Sequence, residues 1–501
     1  MLRTCLRAGL VLLAAGPLAA QASPYISRDD PRLPAFEHLI ALGDVADPSP
    51  MIRPFRRIDA VRALDSALAG GEARDTALIN ELRSAWTEDT AEARWEVEAR
   101  AGGQAYTEGR RDPLHLAGRR RVRPYLELRL QANFDPLVLV SRPAIEPRVT
   151  DDPDWPGRKD LKIAGRHSEA YLSAQFKYIR LLYGQMDQNW GPVTLPGIPL
   201  SDYGYPRPAF GFEVGNRRFR LTSQASTLAD VTDTAGVVTH RYFFAHRAAL
   251  QVTRRFDLAL WETVVLSGVD RSFDGRYRNP VTLLLLANEY GLGDQGNVLL
   301  GFDAHWRVGR RTTLQAQLGL DDIQYQNRGS STRYPDRYAF TIQGTGPLSG
   351  RIAWRALYTQ ASSLAFRTFH ATDAFTDQGV GLGRNFADND QVTLSLTAPI
   401  RRRWLVTPEL TLLRQGEGRL DLPVPPSGTA EAGNTPEIFI GTVERTWRAA
   451  LGVSGSEGPL ALQANAGLHY IDNAGNVSGR SRTRFVGRIQ ATLGLVRGGH
   501  F

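Results

Sequence analysis

From about residue 113 to the last residue the chain repeats one pattern, the alternation of apolar and polar side chains with a period of two. In YLELRLQ, residues 125–131, Leu126, Leu128 and Leu130 fall on one face of an extended chain while Glu127, Arg129 and Gln131 fall on the other. The pattern returns with Leu314, Ala316, Leu318 and Leu320 against Thr313, Gln315 and Gln317. It returns again with Val392, Leu394 and Leu396 against Gln391, Thr393 and Ser395. Near the end Ile489, Ala491, Leu493 and Leu495 oppose Arg488, Gln490 and Thr492. One face of each segment is apolar and the other wet, and a fold must bury or cover the first without stranding the second.

Soluble sandwiches also alternate, but seldom over residues 113–501 without a domain break. A transmembrane antiparallel β-barrel turns the apolar face to lipid and the polar face to its lumen, with segments of ~10 residues divided by turns. Closure also removes the unpaired strand edges that hydrocarbon cannot accommodate. At ~20–24 residues per strand and connection, residues 113–501 predict about 16–18 strands, and bacterial barrels hold even numbers. Phe501 is the terminal aromatic that such barrels often carry.

Ahead of the barrel the period changes. Residues 1–22 read as a secretory signal peptide: Arg3 and Arg7, an apolar run from Ala8 to Ala15, and the small-residue site Ala20-Gln21-Ala22. Cys5, the one cysteine, lies inside it, so the exported chain has no disulfide, thiolate metal site or cysteine nucleophile. Residues 23–112 read as a periplasmic helical module. Pro34 opens a helix carrying Phe36, Leu39, Ile40 and Leu42. A second places Ile58, Val61, Leu64 and Leu68 at spacings of three and four and ends at Gly70-Gly71, and a third carries Leu78, Leu82 and Trp86. The module is too small to be comfortable without something to pack against.

The run VTLLLLANEY, residues 281–290, departs from strict alternation and reads as a strand buried on both faces, where the helical module presses on the barrel. It is too short to span a membrane as a helix. The formal charge of +8 is almost wholly arginine, lysine occurring at Lys159, Lys162 and Lys177. An exported basic chain meets acidic glycans and lipopolysaccharide rather than nucleic acid.

No catalytic constellation is legible. G-x-S-x-G and H-E-x-x-H are missing. His240 and His246 lack partners at metal-ligand spacing. Asp151, Asp152 and Asp154 lack the remaining ligands of a calcium loop, and Gly379, Gly381 and Gly383 precede no helix that could cradle phosphate. The expectation is a protein that is not an enzyme and that needs neither metal nor cofactor. What stands out is a proline-stiffened stretch from Gly184 to Phe212 bearing Asp187, Asn189, Trp190, Tyr203, Tyr205 and Arg207. Flat rings beside hydrogen-bonding side chains suit sugars, and these six are the candidate glycan-binding residues. An aromatic girdle with loop packing is the plainer account of the same residues.

DPRLPAFEHLIALGDV and GQMDQNWGPVTLPGIPLSDYGYPRPAFGF, followed by HRAALQV at 246–252, LALWETVVLSG at 258–268, RYRNPVTLLL at 276–285, GNVLLGFDAHWR at 296–307 and LQAQLGLDDIQ at 314–324, resemble the outer-membrane capsule-assembly Wzi family in order and spacing. GVGLGRNFADNDQVTL at 379–394 and the final TRFVGRIQATLGL extend the resemblance over nearly the whole mature chain. It departs at TLPGI after the W-G-P and at Gln188-Asn189. The resemblance implies an 18-stranded barrel with a helical bundle at its periplasmic end, acting as a lectin for capsular or extracellular polysaccharide in the bacterial outer membrane. Its implied partners are outer-membrane lipid and the polysaccharide export machinery. The alternative is a porin or transport channel for small solutes, and a barrel esterase lacks its Ser/His machinery.

Overall fold

The computed structural model describes residues 22–501 apart from 88–92, 108–112, 115–120, 154, 274, 290–295, 324–332, 385, 402 and 427. Residues 1–21 of the expected signal, with Arg3, Cys5 and Arg7, lie outside the described residues, as does Asp154.

Eighteen antiparallel strands close into a barrel. In chain order they are β1 Arg94–Tyr106, β2 Arg121–Phe134, β3 Leu137–Ile145, β4 Gly165–Gln175, β5 Ile179–Gln185 and β6 Ala209–Gly215. Then come β7 Phe219–Thr227, β8 Val238–Thr253, β9 Phe256–Gly268, β10 Asn297–Val308, β11 Thr312–Asp322 and β12 Arg337–Ser349. The last are β13 Ile352–Ala361, β14 Asn389–Arg401, β15 Trp404–Gln415, β16 Glu444–Glu457, β17 Leu460–Asp472 and β18 Arg482–His500. Each pairs with its chain neighbours, and β1 closes the ring on β18 from Arg94↔His500 to Ala105↔Ile489.

The alternation is the barrel wall. On β2, Leu126, Leu128 and Leu130 are exposed outward while Glu127, Arg129 and Gln131 are buried in the lumen. Val392, Leu394 and Leu396 of β14 are likewise outside, with Gln391, Thr393 and Ser395 inside. An apolar outer face over a polar interior is the solution that lipid imposes. Rings mark both rims: Trp447, Tyr470 and Phe485 stand exposed toward one end, and Phe134 stacks on Phe501 at the other, with centroids 4.8 Å apart. The barrel is of the bacterial outer-membrane type, and among the described residues no helix is long and apolar enough to cross a membrane.

One end of the barrel carries tight turns such as Asp135-Pro136, Arg254-Arg255 and Gly350-Arg351, and the other carries the long connections. Short turns are the periplasmic habit of such barrels. Three helices gather at that end: α1 Leu33–Ala41, α2 Arg57–Gly70 and α3 Thr76–Trp86. Pro34 sits in the first turn of α1, Gly71 takes φ 67° to end α2, and the Asp75 carboxylate caps α3 by accepting the Leu78 N–H at 3.0 Å. Phe36, Phe55, Leu64, Leu82 and Trp86 form their core. Asp44 pairs with Arg311, Asp75 with Arg351 and Glu81 with Arg403, so each ion pair fastens the helices to a barrel turn.

Two expectations are corrected. The barrel begins at Arg94, inside the span 23–112 read as helical. Trp95, Val97, Ala99 and Ala101 alternate there with Glu96, Glu98 and Arg100, an apolar phase that shrinks to small residues, and the charges are answered in the lumen, where Glu96 meets Arg57 and Arg129 at 3.0 Å each. The leucine run is also not a doubly buried strand. Leu284–Glu289 forms a short helix, α4, on the outside of β8 and β9 at the long-loop end, away from the helical module. Leu284 and Ala287 bury against Phe244, Val264 and Leu266, whereas Leu283, Leu285 and Leu286 are exposed. Successive leucines favour helix when no strand partner competes, and the Glu262 carboxylate accepts the free Leu284 N–H at 2.8 Å.

Candidate functional site: a plug and polar chambers in the lumen

After β5 the chain turns into the lumen. Asn189-Trp190 forms a two-residue antiparallel ladder with Ile52-Arg53 of the N-terminal segment, Ile52 opposite Trp190 and Arg53 opposite Asn189. The Asn189 amide nitrogen donates to the carbonyls of Pro192 and Leu195 at 3.0 and 3.1 Å, and its oxygen accepts the Gly197 N–H at 2.7 Å. That one side chain ties the proline-rich bend shut. Trp190 is 1% exposed and packs with Ile198, Leu200, Phe243, Trp261 and Leu382. Gln317 reaches from β11 to bridge the Trp190 carbonyl at 2.9 Å and the Ile198 N–H at 2.7 Å. Gly197 is required here because a Cβ would lie 2.0 Å from the Trp190 carbonyl oxygen, and a backbone atom cannot swing aside.

A second long connection, between β13 and β14, braces the first. Ser201 donates its N–H to the Leu382 carbonyl at 2.9 Å and its hydroxyl to the Gly383 carbonyl at 2.8 Å. Phe366, Phe375, Leu382 and Ala387 join the same apolar cluster as Trp190. The barrel thus carries a dry core inside its lumen, built from two loops and the inward apolar residues of β8 and β9.

Beside this plug lie two polar chambers. A cavity of about 270 Å³ is bordered by Asp187, Tyr203 and Tyr205 together with Arg28, Gln104, Glu146, Arg148 and Arg166. A second, of about 340 Å³, runs along β13–β18 past Arg355, Gln391, Glu409, Arg448, Asn465 and Arg488. They share Arg28, Tyr106, Asp202, Tyr203 and Arg488, so they are adjoining compartments of one space. Volumes of this order lie near the lower range of small-ligand sites, ~300–1,000 Å³.

The six sequence candidates divide. Asp187, Tyr203 and Tyr205 border the smaller chamber, while Arg207 borders neither. Tyr205 donates its hydroxyl to Asp152 at 2.8 Å, and Tyr203 meets Phe386 edge to face at 5.8 Å. Asn189 and Trp190 are buried in the plug, and Trp190 borders a separate cavity of about 80 Å³ beside Arg180 and Arg220. Their residue types suited a sugar, yet the same ring and amide satisfy a folded loop equally well.

Electrostatics separate the carboxyl groups at the chamber. Burial works against the charge on Glu146, but Arg166 at 2.6 Å and Arg148 at 2.8 Å hold its carboxyl far below the usual range. Among the described residues Asp187 has no such pairing. Burial pushes it up to about 8; Arg166 opposes that, and Asp29, Asp202 and Glu169 add to it. Burial likewise lowers the Arg207 guanidinium, offset in part by Asp377 and Asp187. Asp151 pairs with Arg123 at 3.0 Å, and His240 and His246 face Asp230 and Glu262 at 3.1 and 3.2 Å. Among the described residues no cluster of His, Cys, Asp and Glu could hold a metal. The chamber arginines carry one sequence signal, the polar phase of the strand, which marks Arg488 as lumen-facing.

No protein-family model matches the chain, and no curated protein does either. Among solved structures it is similar to Wzi of Escherichia coli, described as an outer-membrane protein involved in group 1 capsule assembly and as a carbohydrate-binding β-barrel. The TM-score is 0.64 at 15% identity, over 95% of this chain and 99% of that one. It also matches OprD of Pseudomonas aeruginosa, with a TM-score of 0.46 at 8% identity over 81% of this chain and 94% of that one. What the chain shares with Wzi is the fold, an outer-membrane β-barrel matched over almost the full length of both chains.

Proposed function

We propose that this protein is a non-enzymatic, lectin-like barrel that binds or organises exported capsular or extracellular polysaccharide at the cell surface. The observation that carries the reading is the plug: a loop bearing Asn189 and Trp190 is packed inside the lumen, and polar chambers lie beside it. A general porin needs a wide aqueous path, and a dry core inside the barrel works against one. The carbohydrate binding described for Wzi supports the same reading. Asp187, Tyr203 and Tyr205 are the original candidates that stay with it. Residues 1–22 serve as an export signal, the helices face the periplasm, the barrel is seated in outer-membrane lipid, and the export machinery delivers the polysaccharide.

Deleting the gene is expected to release surface polysaccharide into the medium without reducing the total made, measured as cell-bound against free glycan. Unchanged retention would sink the reading. Large, steady conductance of the purified protein in a planar bilayer would favour the channel instead.

A further inference from the structure

The larger chamber has an imbalance of charge that points to its occupant. Its wall carries four arginines, Arg28, Arg355, Arg448 and Arg488, against two carboxylates, Asp202 and Glu409. The acids are spoken for: Asp202 accepts from Arg28 at 2.7 Å, and Glu409 pairs with Arg448, which also donates to Asn465. Arg355 and Arg488 are left with neither an ion pair nor a hydrogen bond among the described residues, and the Arg355 Nε is buried. Arg355 is half-buried, and Glu37, the carboxylate that acts on it, is already paired with Arg53 at 2.7 Å, so its guanidinium is costly without a further anion; Arg488 stands exposed in the same chamber, and the two together offer their charge to a group supplied from outside.

Position adds to charge. Arg355 is on β13 and Arg488 on β18, with β14 to β17 forming the wall between them. That wall offers Gln391, Thr393 and Asn465 as neutral hydrogen-bonding groups, and Tyr106 and Tyr203 present rings at the junction with the smaller chamber. Two separate cations, amides and hydroxyls between them and rings at one end suit a chain of sugars better than a single ring. A neutral glycan would leave both guanidinium groups unanswered.

We propose that this space binds a segment of acidic polysaccharide, with Arg355 and Arg488 each receiving a sugar carboxylate and Tyr106 and Tyr203 stacking on sugar faces. The assignment rests on the polysaccharide-binding reading and names its ligand class and residues. Arginine's planar fork matches a carboxylate with two parallel hydrogen bonds, so the pairing selects uronate-type sugars by geometry as well as charge.

The test is titration calorimetry of the full-length protein in detergent with tetragalacturonate and with neutral maltotetraose. Intact barrels are verified by heat-modifiable gel mobility. The acidic probe is expected to bind, and to bind less as salt is raised, while the neutral one binds at least tenfold more weakly. R355Q and R488Q singly are each expected to weaken tetragalacturonate by roughly 10- to 100-fold. R158Q, in an exposed loop, should leave binding unchanged. Equal binding of the two probes, wild-type affinity in both single variants, or no binding of tetragalacturonate overturns the assignment. If the acidic probe fails while gene deletion still releases polysaccharide, the chamber assignment falls and the broader reading stands. If arginine-dependent binding is seen but deletion changes nothing, it is the broader reading that falls.

Discussion

Replacing Trp190 with alanine isolates the force that keeps the plug in the lumen. Trp190 is 1% exposed and sits among Ile198, Leu200, Phe243 and Trp261, so W190A removes an indole from a closed apolar cluster. Such truncations cost ~3–5 kcal/mol. The Asn189 side-chain hydrogen bonds contribute ~0.5–1.5 kcal/mol each and are unaffected directly, so the indole is the largest single contributor near the bend. At ~1.4 kcal/mol per factor of ten, the loss corresponds to a rise of roughly 100- to 1,000-fold or more in the population of undocked loop. Hydrogen exchange of the protein in detergent reads this directly. The Trp190 N–H, bonded to the Leu200 carbonyl, and the Ile198 N–H, bonded to Gln317, should lose protection by that factor. Amides paired between β1 and β18 should keep theirs, and bilayer conductance should rise. W447A is the control, because Trp447 is 53% exposed on the lipid side and touches no part of the plug cluster. Wild-type protection in W190A, or an equal effect of W447A, would refute the view that burial of this one ring holds the loop.

Two further outcomes follow from other parts of the fold. The Asp187 carboxyl has its pKa raised to about 8 in the docked loop, against about 3.9 when free, so docking favours the protonated form. That stabilisation is fully present below about pH 4 and is lost as pH rises through 8. Protection of amides 186–200, corrected for intrinsic exchange, should therefore fall across that window in the wild type and stay flat in D187N; parallel profiles would refute it. At the outer wall, L284A should cost ~2–5 kcal/mol, and a helix of six residues has no stability of its own. Exchange at Leu284 and Ala287 should rise with the strands unaffected, and unchanged exchange would show that the wall contact does not hold the helix.

The legibility of the fold varied with how much of it depends on one face against another. Leu126, Leu128 and Leu130 against Glu127, Arg129 and Gln131 declare a two-faced strand without knowledge of any neighbour, because lipid and lumen impose opposite chemistries on adjacent residues. The helices of Phe36, Leu64 and Trp86 were legible for the same reason at a different period. In β1 the alternation is present too, Trp95, Val97 and Ala99 against Glu96, Glu98 and Arg100, but its apolar phase shrinks to small residues toward Ala101 and Gly103, and its charges find partners on α2, on β2 and within the strand itself. At VTLLLLANEY the local pattern suited helix and strand alike, and only the vacant outer wall of β8 and β9 with Glu262 at the helix start decided it.

The candidate site divides along the same line. That Gly184 to Phe212 is a stiff aromatic loop is written in its prolines, which fix φ and withdraw N–H groups wherever they occur. Whether a ring in it meets sugar or core is not a local property. Trp190 has the same indole as an exposed tryptophan, and its role follows from Ile52, Phe243 and Trp261, brought to it from three distant parts of the chain. The free charge of Arg355 and Arg488 is likewise invisible in sequence, where 60 lysines and arginines face 52 acids with no pairing assigned. A closed barrel preceded by helices is readable from the residues alone, because the solvent on each side acts on every residue independently. The tertiary structure decided the plug, the chambers and the unanswered arginines, because burial and pairing exist only between residues that the closed ring brings together.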